Sequence, residues 1–201
     1  MTAKMQTAAG NKMFVATRSC KLAIALLACA ASSTPMAMCD SRIITKDRIP
    51  TGYKGYLNDR FGYAVAYPSG FLIPRGESDN SDGQKISSTH QDVVLSVWGS
   101  WNTLEESTSD IAQDFKNGEY LPYGTKTRPT VTYSIIRKNW VVMSGTYNGR
   151  VIYFKDVLDK YGEYAMTFTY PISMKQKYDP MTVEIAHTLI RYQEPYGWHG
   201  K

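Results

Sequence analysis

The sequence is poor in cysteine, and its three cysteines all lie near the amino terminus. Cys20, Cys29 and Cys39 occupy the first 39 of 201 residues, so the region from Tyr53 onward contains none. That region therefore has no disulfide framework, cysteine zinc site or thiol nucleophile. Its composition, 43% hydrophobic and 20% charged residues, is typical of a globular domain with an apolar core.

Histidine is also scarce, and the usual catalytic and metal-binding motifs are missing. His90, His187 and His199 are not spaced as ligand pairs, and the sequence contains neither HExxH nor GxSxG. The acidic stretch from Asp79 to Gly83 is similar to a calcium loop, but Thr89 stands where a bidentate glutamate belongs. We therefore predict a solvated turn there, and no catalytic residue, metal site or cofactor.

The chain after residue 37 has almost no excess of positive charge. The formal net charge is +5, but residues 1–37 contain four of the 23 basic residues and no acidic residue. The remaining 19 basic residues stand against 18 acidic ones, a net charge of +1. A nearly neutral domain lacks the electrostatic footprint of a nucleic-acid-binding protein, so we expect no nucleic-acid partner.

The longest apolar run is too short to cross a membrane. It extends from Leu22 to Ala31, whereas a spanning helix needs about 20 residues. Arg18 and Lys21 precede it and small residues follow, which is the layout of a secretory signal. We predict a signal peptide over residues 1–37, a polar linker over 38–51, and a periplasmic or secreted domain; translation from Met13 would give a leader of more usual length.

Two processing routes for this leader stay open. Ala28-Cys29-Ala30 fits the A-x-A pattern of simple secretion, the route that we favour. Leu26-Leu27-Ala28-Cys29 resembles a bacterial lipobox, in which Cys29 would be lipidated and the product would be a membrane-anchored lipoprotein. We expect membrane contact only in this second case.

The region from residue 52 to residue 192 is predicted to be one domain, followed by a flexible tail over 193–201. Segments rich in β-branched and aromatic residues, bounded by turn residues, predict its strands. These segments are 55–57, 62–67, 84–88, 92–98, 131–136, 140–147, 151–154 and 164–170. Asn148-Gly149 predicts a hairpin turn, and Gly76 to Gly83 reads as a long polar loop.

Two helices are predicted between and after these strands. Thr103 and Glu106 form a capping box, and Leu104, Ile111 and Phe115 recur on one face up to Gly118. Asp179-Pro180 is a typical helix start, ahead of an apolar face. That face comprises Ile185, Ala186, Leu189 and Ile190. The order strands, helix, strands, helix favours an α+β fold with a mostly antiparallel sheet flanked by helices.

The sequence from Arg60 to Pro68 (RFGYAVAYP), then Phe71, Asp82-Gly83-Gln84 and Leu95 to Gly99, resembles a group of small exported bacterial proteins. With its element order, the chain is similar to the Mog1/PsbP-like sandwich, which includes DcrB-type lipoproteins. The resemblance implies a non-enzymatic fold that binds partners, as in photosystem accessory subunits, envelope lipoproteins and immunity proteins or adaptors of secretion systems. It assigns no functional residue to this chain, because fold alone does not fix function.

The hypothesis that best joins these observations is a periplasmic, non-catalytic module that binds another protein, a toxin or an envelope component, through a sheet edge or the long loop. One version is an immunity protein that neutralises a secreted toxin. Trp101 is the predicted anchor, because tryptophan is frequent in binding hot spots, and Arg75, Glu77 and Asp79 would form its polar rim.

Two alternatives belong to other classes. One is a small envelope hydrolase with His90 or His187 as its base. The other is an accessory lipoprotein of a membrane complex, associated with a lipid or pigment.

The mass of the mature protein distinguishes the two processing routes. We expect an unmodified chain beginning just after Ala30 or Ala31, because the A-x-A pattern directs simple secretion. Intact mass spectrometry of protein recovered from the envelope measures this. A diacylglyceryl mass on Cys29 as the first residue would contradict it.

Overall fold

Ten strands and two helices form the part of the chain that this computed structural model describes, residues 49–122, 124–125 and 127–197. The strands are β1 Tyr53–Asn58, β2 Tyr63–Pro68, β3 Ile73–Glu77, β4 Gly83–Ser87, β5 Val94–Ser100, β6 Thr130–Arg137, β7 Trp140–Tyr147, β8 Arg150–Asp159, β9 Gly162–Pro171 and β10 Ile190–Arg191. The helices are α1 Thr108–Asn117 and α2 Lys175–Thr188, the latter preceded by a 3-10 turn, Ile172–Met174.

The strands form two antiparallel sheets. The large sheet has seven strands in the order β3-β4-β5-β9-β8-β7-β6, and the small sheet has the order β1-β2-β10. Two helices and two mostly antiparallel sheets confirm the predicted α+β class. The pairing of β5 with β9 joins the early strands of the large sheet to the late ones.

The two faces of the large sheet differ because side chains alternate along each strand. In β5, Leu95 and Val97 are buried on one face, whereas Ser96 and Trp98 are half-buried on the other. The first face carries the main core, which is completed by the small sheet and by α2, packed on β2, β8 and β9. The second face carries a smaller core beneath α1, which packs on β6 and β7.

Several local predictions are confirmed. Asn148 and Gly149 have φ angles of 43° and 72°, the left-handed pair that a two-residue hairpin needs. Gly118 has φ 95° and caps α1, its amide donating to the carbonyl groups of Asp114 and Phe115. The strand segments predicted over 62–67, 131–136 and 140–147 correspond to β2, β6 and β7.

The predicted start of the first helix is wrong by one turn. The capping box is formed by Ser107 and Asp110 rather than by Thr103 and Glu106. The side chain of Asn102 bonds to the backbone amide and the carbonyl group of Glu106, which closes residues 102–106 into a turn before the helix. Leu104 therefore lies outside the apolar face and is 80% exposed, while Ile111 and Phe115 are buried as predicted.

The predicted start of the second helix is also wrong, because α2 begins before Pro180 and contains it. The Asp179 carboxylate accepts a hydrogen bond from the Tyr170 hydroxyl at 2.5 Å instead of capping the helix. Tyr178 is buried against Phe71, Phe168 and Tyr170 in this first part of α2. Burial of this aromatic cluster offsets the hydrogen bond that proline removes.

Two short strands were not predicted. β3 begins before the predicted polar loop and includes its first two residues, Gly76 and Glu77. It was missed because edge strands with proline and glycine give a weak pattern. β10 contains Ile190, which was assigned to the helix, and pairs with β2. Arg191 then makes a bidentate ion pair with Asp159 at 2.5 and 2.9 Å, tying β10 to the β8–β9 hairpin.

The predicted signal peptide and most of the linker, including Cys29, lie outside the described residues, as do His199 and the end of the tail. Among the described residues, no helix is both long and apolar enough to span a membrane.

Gly99 on β5 lies directly against Phe61, in the turn between β1 and β2, and provides a test of the packing. A Cβ at this position would lie 2.6 Å from the Cβ of Phe61. We expect Gly99→Ala to lower the free energy of unfolding by about 1–3 kcal/mol, because Phe61 and β5 must move apart. Urea unfolding measures this, with Gly70→Ala as the matched control, since a Cβ there has no heavy atom within 4 Å. Equal stability of the two variants would show that Phe61 is not tightly packed on Gly99.

Candidate functional site

A groove of about 870 Å³ lies on the second face of the large sheet, beside the region covered by α1. Its floor is formed by neighbouring positions of β4, β5 and β9, which the register places side by side. Four hydroxyl groups line this floor, those of Ser87, Ser96, Thr167 and Thr169. Because these hydroxylated side chains are small and lie at alternate positions, the floor is polar and leaves space above the sheet.

The groove is lined by three cations, Arg75, Lys85 and Arg150, and Glu119 is the one carboxylate among the described lining residues. The two arginines bond to Ser87 and Thr169 beside Val94, at one end of the floor, and Lys85 pairs with Ser96 midway along it. Arg75 donates to the Ser87 hydroxyl at 2.8 Å and the Ser88 carbonyl oxygen at 2.7 Å, and Arg150 donates to the Asp92 carbonyl oxygen at 2.7 Å.

These cations keep their charge available for a ligand. Both guanidinium groups are held by uncharged acceptors, and no carboxylate of the described residues forms an ion pair with either of them or with Lys85. Guanidinium groups fixed in this way match carboxylate and phosphate oxygens.

The other end of the groove is aromatic. The ring of Tyr120 stacks 4.2 Å from that of Phe154 and 6.0 Å from that of Trp98, and Leu121 and Pro122 continue this wall. Trp98 stays half-buried, so part of its indole faces the groove. The wall offers apolar surface to a ligand that the cationic end has attracted.

Tyr147 lines the groove and carries an unsatisfied polar group. Its side chain is 6% exposed, and its hydroxyl has no hydrogen-bond partner among the described residues. A buried hydroxyl without a partner costs free energy.

The predicted partner-binding residues do not share one surface. Arg75 lines the groove, while Glu77 accepts a hydrogen bond from the Tyr56 hydroxyl at 2.9 Å and Asp79 is exposed in the following turn. Trp101 is half-buried, with its ring 4.9 Å from that of Phe61 in the main core. The role of these four residues in binding a partner stays a prediction.

The candidate residues of the other classes lie apart from the groove. His90 is exposed in the turn before β5, and His187 is exposed in the last turn of α2. The Asp82 carboxylate accepts hydrogen bonds from Ser78 at 2.5 Å and Asn80 at 2.7 Å within its own turn. In the described part of the chain, no group of three or more acidic, histidine or cysteine side chains is arranged to hold a metal ion.

Sequence reasoning did not identify Lys85, Tyr120 or Arg150 as site residues. Arg150 directly follows the Asn148-Gly149 turn, and the alternating Thr167 and Thr169 mark a polar face on a strand that is otherwise apolar. These local signals exist, but only the pairing of β5 with β9 shows that they belong to one surface.

Asp156 lies on the same face of the sheet, deeper under the aromatic wall. It is 1% exposed, and neither carboxylate oxygen has a hydrogen-bond partner among the described residues. Burial raises the pKa of Asp156 well above its usual value, and the charges of Glu163 and Glu106 raise it further. The neutral form of Asp156 is therefore favoured next to the site.

No protein-family model matches the chain, and no curated protein matches its sequence. Among solved structures, the fold is similar to the solution structure of cyanobacterial PsbP (CyanoP) from Synechocystis sp. PCC 6803. The TM-score is 0.54 at 12% sequence identity, over 70% of this chain and 93% of that chain. The chain thus has a PsbP-like fold, as the resemblance of its sequence implied.

Replacing Asp156 tests its buried, neutral state. Since its pKa is raised in the folded protein, the folded state binds more protons than the unfolded state above about pH 4, and stability falls as the pH rises. We expect Asp156→Asn to raise the free energy of unfolding by about 1–3 kcal/mol at pH 8, with a smaller gain at pH 5. Urea unfolding at the two pH values measures the difference.

Asp110→Asn is the matched control for this test, because Asp110 is exposed and caps α1. Hydrogen bonds from Ser107 lower the pKa of Asp110, so its contribution to stability is lost as the pH falls. The control should therefore destabilise the protein at neutral pH. A gain for Asp156→Asn that does not change between pH 5 and pH 8 would contradict the assignment.

Proposed function

We propose that this PsbP-like domain is an exported, non-catalytic binding module that recognises an acidic segment of another protein in its cationic groove. The observation that carries the proposal is the convergence of Arg75, Lys85 and Arg150 on one groove with a single lining carboxylate. The mature domain is nearly neutral, so this concentration of one sign of charge is local. Such a patch steers and orients a partner of opposite charge.

The dimensions of the groove suit a segment of polypeptide. From Val94 to Trp98, its floor follows four residue steps of β5, a length of about 13 Å. An extended peptide of about five residues spans that distance. Hydroxyl groups along the floor can bond to the peptide groups of such a segment, whatever its side chains.

The predicted export signal supports a location in the bacterial envelope, as a soluble periplasmic protein or as a lipoprotein anchored through Cys29. Within that class, an immunity protein that neutralises a secreted toxin is the narrower version of the proposal. A role as an accessory subunit of a membrane complex uses the same groove with an envelope protein as the partner. The identity of the captured protein separates these versions.

Site-specific photo-crosslinking in the native cells tests the proposal. A photoreactive amino acid replaces Gln91 at the rim of the groove or, as a control, Gln176 on the exposed side of α2. We expect a discrete protein adduct from position 91 and none from position 176. Adding Arg75→Gln and Arg150→Gln should lower the adduct yield by roughly tenfold or more, because both fixed charges are lost.

Arg137→Gln is the matched control variant, since it removes an exposed arginine from the far edge of the sheet, on β6. It should leave the adduct unchanged. Mass spectrometry then identifies the partner as a toxin or an envelope component. Adducts that persist after loss of both groove arginines would contradict the proposal, as would a groove that crosslinks to no protein.

A further inference from the structure

The two ends of the groove differ in chemistry, and this difference limits which chemical groups of a ligand can bind at each end. Arg75 and Arg150 hold positive charge at the end near Val94, whereas Trp98 and Tyr120 form an aromatic wall at the other end. A segment that is only acidic would leave the aromatic wall exposed to water. Aromatic surface of this kind contributes strongly to binding when a partner side chain covers it.

Glu119 makes the aromatic end of the groove unfavourable for an acidic group of the ligand. It is the residue before Tyr120 and the one carboxylate among the described lining residues. A second carboxylate of the ligand would be repelled at the aromatic end. The acidic group and the apolar group of the ligand are therefore confined to opposite ends.

The register of the strands gives the spacing between the two groups. Val94 pairs with Thr169 beside the arginines, and Trp98 pairs with Ala165 beside the aromatic wall. The four residue steps between them correspond to about 13 Å, and four is an even number. In an extended peptide, residues four positions apart point to the same side, so both can face the groove.

We infer that the groove recognises an extended peptide segment in which an acidic residue lies four positions from a large apolar or aromatic residue. The inference rests on the proposed function and specifies its partner. The acidic residue binds between Arg75 and Arg150, and the apolar side chain lies against Trp98 and Tyr120.

Defined peptides test the inference. The probes are blocked nine-residue peptides of serine and threonine that carry one glutamate and one phenylalanine. The phenylalanine is placed two, three, four or five positions from the glutamate, on either side. Isothermal titration calorimetry with the mature protein measures the affinity, and peptides with serine for phenylalanine or glutamine for glutamate serve as controls.

We expect the peptide with a spacing of four to bind at least roughly tenfold more tightly than the peptide with a spacing of three, whose side chains point to opposite sides. It should also bind tenfold more tightly than the peptide without phenylalanine. Trp98→Thr and Pro122→Ser should each reduce the difference in affinity between the peptides with and without phenylalanine. The exposed position of Pro122 keeps this test open if Trp98→Thr does not fold.

The outcomes separate the inference from the proposed function. If the purely acidic peptide binds as tightly as the peptide with a spacing of four, or if spacing has no effect, the inference is overturned and the cationic groove remains a protein-binding site. If the glutamine peptide binds as tightly as the glutamate peptide, the proposed function fails as well. Absence of binding for every peptide would also contradict both.

Discussion

The antiparallel pairing of β5 with β9 is the interaction on which the rest of the structure depends. It joins β3, β4 and β5, which come before α1, to β6–β9, the four strands of the large sheet that follow α1. On one face, this pairing brings Leu95 and Val97 together with Phe168 and Met166 in the main core. On the other face, the same register places Ser96 next to Thr167 and so forms the floor of the groove.

Strand β8 shows how strictly the two faces are separated. Lys155 and Asp156 are neighbours in sequence but lie in different layers, because successive side chains of a strand point to opposite faces. Lys155 donates at 2.5 Å to the carbonyl oxygen of Ala186 near the end of α2, and burial lowers the pKa of Lys155 to about 8. Asp156 has no comparable partner in the described part of the chain, and burial raises its pKa, which favours the neutral form under the aromatic wall of the second face.

Much of the fold could be predicted because its signals are local. The Asn148-Gly149 turn, the Gly118 cap and the β-branched segments each depend on a few adjacent residues. The predictions of the two helix starts failed where another contact competed with the expected local signal. Thr103 and Glu106 match a capping box, but the side chain of Asn102 bonds to the backbone of Glu106 and forms a turn instead. Asp179-Pro180 matches a helix start, but burial of Tyr178 makes the helix begin before these two residues. Both errors concern boundaries rather than the existence of an element.

The sequence by itself determined the class of the fold, the lack of cysteine chemistry in the main domain and the near-neutral charge outside the leader. It also singled out Arg75, but as part of a rim around Trp101, which the structure places against Phe61 in the core. Only the tertiary structure decided that Arg75, Lys85 and Arg150 share a groove with Trp98 and Tyr120. These residues come from five separate segments. Strand order and register bring them together, and both arise from the simultaneous burial of the two faces of one sheet.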